Sequence, residues 1–260
     1  MSATFENVRL EIVNGVAWLE FARPPVNAFN RAMVDETFAA MKQALADPQA
    51  RVLVIASSVE KYFSAGADLA AFAALDAAQM REWITLMHEI ARTLRSADKP
   101  LLAAIHGVAV GGGLEMTLHC DLRFAADNAK FGQPEIAIAF IPPIATTQAL
   151  ARLIGRPRAI RYLYDGKMAS AAEALDWGLV DELVPVAELR ARVQAYAEEL
   201  AAKPALALAA IRRTITLGGG ATFEEGMALE LEEASALAAS DDFREGVRAF
   251  LEKRPPQWRR

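Results

Sequence analysis

The chain has 260 residues, 53% hydrophobic and 23% charged, enough apolar content for one sizeable core and unlike a disordered chain. Its net charge of −5 disfavours a nucleic-acid partner, because phosphate backbones demand a basic surface. A lone cysteine, Cys120, excludes an intramolecular disulfide, and no apolar run approaches the ~20 residues of a membrane span.

The first residues lack both signal-peptide and transit-peptide patterns, so a cytoplasmic protein is expected. Two apolar runs, 8–12 and 16–21, flank Asn14-Gly15, a hairpin signal. Arg23-Pro24-Pro25 breaks the second run, and Asn30 caps a predicted helix over 31–46 with Val34, Phe38, Met41 and Leu45 on one face. Residues 52–56 are continuously apolar, which predicts a strand buried on both faces. The small-residue turn Ser64-Ala65-Gly66-Ala67-Asp68 follows and feeds another helix. Trp83, Met87, Ile90 and Leu94 recur at helical spacing within an amphipathic helix over 77–97.

A second buried strand, 101–105, leads to Gly111-Gly112-Gly113 and a helix of roughly nine residues. Bare backbone at a helix start leaves N–H groups able to stabilise developing negative charge. The spacing is wrong for a dinucleotide fingerprint, since its last glycine position holds Met116, and no phosphate-loop motif occurs. The strand-like run 122–126 can bring the chain back about 17 Å, against about 14 Å of helix rise. Glu135, closing Phe131-Gly132-Gln133-Pro134-Glu135, is thereby expected beside Glu115. Two carboxylates facing a polarised carbonyl form an acid/base pair.

Beyond Glu135, a helix ends at Gly155, Arg156-Pro157 opens another, and Ser170 to Glu173 forms a capping box. From residue 186 the chain reads as helices over 186–202, 204–217, 223–239 and 242–253, with Gly218-Gly219-Gly220 as a linker. Glu224, Glu225, Glu232 and Glu233 read as a solvated face. His88, His106 and His119 lack metal-ligand spacing, so no metal and no redox cofactor are expected. Recurrent strand-then-helix units suit an α/β fold.

Residues 61–69 (K-Y-F-S-A-G-A-D-L), 106–115 (H-G-V-A-V-G-G-G-L-E), 131–135 and 240–254 together resemble the enoyl-CoA hydratase/isomerase (crotonase) superfamily across essentially the whole chain. The resemblance implies a spiral of β-β-α turns over 1–185, and a helical region over 186–260 that covers the site and forms contacts in a homotrimer or dimer of trimers. It implies an acyl-CoA thioester substrate, with no cofactor beyond the CoA of the substrate itself. The thioester oxygen is assigned to the N–H groups of Ala65 and Gly112, while Ala65, Gly66, Ala67, Asp68 and Gly112 bind CoA. Glu115 activates water and Glu135 exchanges the α-proton, making a 2-enoyl-CoA hydratase. Alternatives are an enoyl-CoA isomerase, an acyl-CoA hydrolase, a cyclic dienoyl-CoA hydratase, or a non-catalytic scaffold or RNA-binding homologue. Lys253, Arg254, Arg259 and Arg260 are candidates for the CoA phosphates. One departure stands out: Pro143 occupies the place of an expected glycine whose N–H faces the reacting water, and proline has no N–H.

Overall fold

The computed structural model describes residues 5–258. Six strands form the larger sheet in the order β1 (Val8–Val13), β2 (Val16–Phe21), β3 (Val52–Ser57), β5 (Leu101–Ile105), β7 (Leu122–Ala126) and β10 (Glu182–Val184). From β2 onward the strands run parallel, with β1 added antiparallel through the predicted hairpin. A smaller sheet has the order β4 (Tyr62–Ser64), β6 (Val108–Val110), β8 (Lys130–Gly132) and β9 (Ala169–Ser170). Consecutive strands thus alternate between sheets: β3 then β4, β5 then β6, β7 then β8. That is the spiral of β-β-α turns, and it stacks the loops after β4, β6 and β8 on one another.

Burial follows the two-residue period of the strands. Leu53, Ile55, Leu101 and Ala103 face the interior between the sheets, with Phe63 and Phe131 from the smaller sheet. Val52, Val54, Leu102 and Ala104 point the other way, against Leu189, Val193 and Ala197 of α8 (Leu189–Ala201). All six residues of β3 are buried, as its unbroken apolar run predicts. Helix α1 (Arg31–Ala46) is capped by Asn30, whose side chain accepts the Met33 N–H at 3.0 Å.

Helices α2 (Leu69–Ala73) and α3 (Ala77–Arg95) follow β4, whereas α4 (Gly112–Thr117) follows β6. Helix α4 has six residues and opens at the second glycine, shorter than the nine expected. Beyond β8 come a 3-10 turn at Glu135–Ile138, α5 (Thr146–Leu153), α6 (Arg156–Asp165) and α7 (Ala171–Trp177). The last helices are α9 (Ala205–Gly218), α10 (Phe223–Ala238) and α11 (Asp241–Glu252), and α10 buries none of its residues. No helix among the described residues is long and apolar enough to cross a membrane.

Candidate active site

The loops after β4 and β6 touch because both are glycine-bearing. A Cβ on Gly66 would lie 3.0 Å from the Val110 carbonyl oxygen and 3.4 Å from the Gly111 Cα. Gly111 itself has φ of +50°, and a Cβ there would meet Oε1 of Glu135 at 2.8 Å. The sequence therefore brings three loops to one point, and a cavity of about 280 Å3 opens between them. Ala65, Gly66, Ala67, Gly112, Glu115 and Glu135 all line it, with Pro143 and Ile144.

Hydrogen bonding corrects one assignment. The Ala65 N–H is not free: it donates to the Val26 carbonyl at 2.9 Å. The Gly66 N–H donates to Ser64 Oγ at 3.0 Å. Phe29 bridges this loop in parallel fashion, donating to the Gly66 carbonyl at 2.7 Å and accepting from the Asp68 N–H at 3.0 Å. A residue flanked in this way points its own N–H away from the bridging strand. Ala67 is that residue, so the N–H offered to the cavity from this loop is Ala67's. Gly112, which also lines the cavity, is the first residue of α4, and its amide has no intrahelical acceptor. Asp68 lies outside the cavity lining; its carboxylate caps α2 and pairs with Arg23 at 3.2 Å.

Glu115, one turn into α4, is 1% exposed. Its Oε2 accepts from the Ile144 N–H at 2.7 Å and the Thr146 hydroxyl at 2.6 Å, while Oε1 is buried without a partner. Burial pushes its pKa up to about 8; the Thr146 hydrogen bond opposes the rise, the Glu135 charge adds to it, and the Ile144 N–H opposes it. Glu135 opens the 3-10 turn, and burial raises it to about 6. The buried Gln133 amide, oriented to satisfy both its ends, donates to Oε1 and Oε2 of Glu135 at 3.3 and 3.0 Å. Burial thus favours the protonated form of both carboxyl groups, and more strongly for Glu115 than for Glu135.

Two neighbours of Glu115 escape a reading by motif, Thr146 and His119, and Ala67 was read there only as a CoA contact. His119 is buried, and its Nε2 donates to the Ile144 carbonyl at 2.7 Å, so it braces the residue whose N–H holds Glu115. Burial lowers the His119 pKa to about 4, which keeps the ring neutral. The far wall is aromatic: Phe72 meets Trp83 and Phe140 edge-on, with ring centroids 6.1 and 5.3 Å away. Arg254 is engaged by Glu245 and Glu252, each at 2.6 Å, and Lys253 closes α11 in a left-handed conformation. Arg259 and Arg260, the other two proposed phosphate contacts, lie outside the described residues.

The fold sets two carboxyl groups on one cavity, and the chain belongs to the enoyl-CoA hydratase/isomerase family of enzymes, whose model matches residues 11–260. It is similar to the crotonyl-CoA hydratase of Syntrophomonas wolfei subsp. wolfei, 36% identical over 96% of each chain. The (E)-benzylidenesuccinyl-CoA hydratase of Thauera aromatica is 34% identical over 97% of this chain and 98% of its own. The crystal structure of an enoyl-CoA hydratase from Bacillus anthracis superposes with a TM-score of 0.92 at 32% identity, covering 97% of this chain and 99% of that one.

Proposed function

We propose that the protein is an enoyl-CoA hydratase that interconverts a 2-enoyl-CoA and its 3-hydroxyacyl-CoA. The observation that carries this reading is the pair of carboxyl groups, Glu115 and Glu135, lining one cavity with the Ala67 and Gly112 backbone. The thioester oxygen sits between the Ala67 and Gly112 N–H groups and takes up enolate charge as Cα is deprotonated or Cβ is attacked in conjugation. Each such donor is worth roughly 3 to 4 kcal/mol at the transition state.

In the elimination direction, ionised Glu135 removes the α-proton, and protonated Glu115 gives its proton to the departing β-hydroxyl, releasing water. Hydration is the reverse: Glu115 as carboxylate accepts a proton from the attacking water, and Glu135 returns a proton to Cα. A proton placed on Glu115 matches the elimination start; hydration begins from the other placement of the same proton. Both directions conserve the single shared proton and require no cofactor beyond the substrate's CoA.

The Ala65 to Asp68 turn forms one wall for the CoA moiety. Phe72, Trp83, Met87 and Phe140 enclose a compact apolar space suited to a short, branched or cyclic acyl group. The exposed apolar side chains Phe223 (81%), Phe250 (84%) and Leu251 (74%) on α10 and α11 support assembly as a homotrimer or dimer of trimers. Pro143 favours double-bond isomerisation as a second reading, because it takes away an N–H that would orient water.

The test is loss of the conjugated enoyl absorbance with crotonyl-CoA and with cyclic dienoyl-CoA substrates, alongside turnover of 3-enoyl-CoA. Hydration abolished by Glu115→Gln and by Glu135→Gln is the expected result. Faster use of the 3-enoyl compound replaces the hydratase with the isomerase.

A further inference from the structure

The segment from Pro143 to Thr146 folds tightly around one oxygen atom. Ala145 adopts a left-handed conformation, φ +53° and ψ +21°, at the N-terminal cap of α5. That bend turns the Ile144 N–H and the Thr146 hydroxyl onto the same atom, Oε2 of Glu115. Thr146 is fully buried, and His119 holds the Ile144 carbonyl from behind. The other oxygen, Oε1, is buried and receives nothing from the protein.

A carboxyl oxygen has two in-plane lone pairs, and those of Oε2 are both taken by donors. A proton on Oε2 would displace one of those donors, whereas Oε1 takes it with both hydrogen bonds kept. We propose that Thr146 is a positioning residue, whose hydroxyl acts with the Ile144 N–H to pin Oε2 of Glu115 and so make Oε1 the oxygen that trades its proton with the reactant. This rests on the acid/base reading of Glu115 given above. It assigns a purpose to the sequence departure at Pro143: the backbone donor lost there is matched by a side-chain donor three residues later, aimed at the carboxyl group instead of the water.

The hydroxyl favours the ionised carboxylate, as any donor to a carboxylate does. Its removal therefore drives the Glu115 titration to higher pH. The other charge bearing on Glu115 is that of Glu135, from the 3-10 turn; His119, behind Ile144, is neutral. Neither is altered by a change at position 146.

The experiment uses the full chain and the variants Thr146→Val, which keeps the shape, and Thr146→Ser, which keeps the hydroxyl. Thr146→Ala replaces the valine variant should that one not fold. Infrared difference spectra, each recorded against the same protein carrying Glu115→Gln, follow the protonated carboxyl stretch of Glu115 through pH without turnover. Expected are a midpoint raised by about one pH unit or more in Thr146→Val and a kcat lowered roughly 10- to 100-fold near pH 7, the scale of a lost hydrogen bond to a charged group. KM should stay nearly constant, and Thr146→Ser should recover both values. A midpoint unmoved by Thr146→Val overturns the proposal, as does a serine variant as impaired as the valine one. A shifted midpoint in a protein that never hydrates an enoyl-CoA would sustain the clamp and reject the hydratase reading.

Discussion

Glu115→Gln should alter how folding stability depends on pH, and the sign follows from burial. In the unfolded chain this carboxyl titrates near 4.5; in the folded protein it is pushed up to about 8. The folded state therefore binds the extra proton between those values, and stability attributable to Glu115 is full below pH 4.5 and lost as pH rises toward 8. His119 acts in the opposite sense, because its folded value of about 4 lies below 6.5; its effect fades by about pH 7.5 and cancels between the two proteins, which both carry it. Glu135 is also mostly finished, since its folded value is about 6. The window from pH 6.5 to 8 thus isolates Glu115. Across it the wild-type protein should lose about 1.5 kcal/mol relative to the glutamine variant, given 1.36 kcal/mol per pH unit at full proton difference. Urea unfolding of both proteins at pH 6.5, 7.25 and 8 measures this directly. Parallel stability profiles would show that Glu115 ionises in the folded protein as it does unfolded, and the shared-proton argument would fail with them.

In kcat/KM for dehydration of a 3-hydroxyacyl-CoA, the pH profile should be bell-shaped, rising through about 6 as Glu135 ionises and falling through about 8 as Glu115 loses its proton; a flat profile across that range contradicts the assignment. Ala67→Pro removes an N–H directed at the cavity and should lower kcat about 100- to 1000-fold. Ala65→Pro instead breaks the bond to Val26 and should mainly lower the melting temperature, so equal effects on kcat would return the oxyanion role to Ala65. Gly113→Ala would set a Cβ 2.3 Å from the Cβ of Ser64, and a loss of about 1–3 kcal/mol is expected in urea unfolding.

Much of the scaffold was legible where local chemistry is self-sufficient. Asn14-Gly15 takes positive φ at both residues and turns the β1–β2 hairpin. The capping boxes at Ser170 and Thr222 form as their spacing dictates. Glu115 and Glu135 meet across twenty residues, as the motifs implied, even though α4 is shorter than expected. The choice between Ala65 and Ala67 was not legible. Both are alanines flanking one glycine, and what separates them is whether Val26 and Phe29, from a loop far upstream, claim the N–H or leave it. The part played by Thr146 was likewise not legible, because nothing local shows its hydroxyl reaching back to position 115.

The sequence by itself determined the buried strands at 52–56 and 101–105, the bare turns and the identity of the two acidic groups, since propensity, glycine placement and apolar period act over a few residues. Which amide stays unpaired, and which carboxyl keeps the proton, were decided only by the tertiary structure. Every buried donor and acceptor must find a partner somewhere in the fold, and a carboxyl's proton affinity is set by the water it loses and the donors it gains when distant segments close around it.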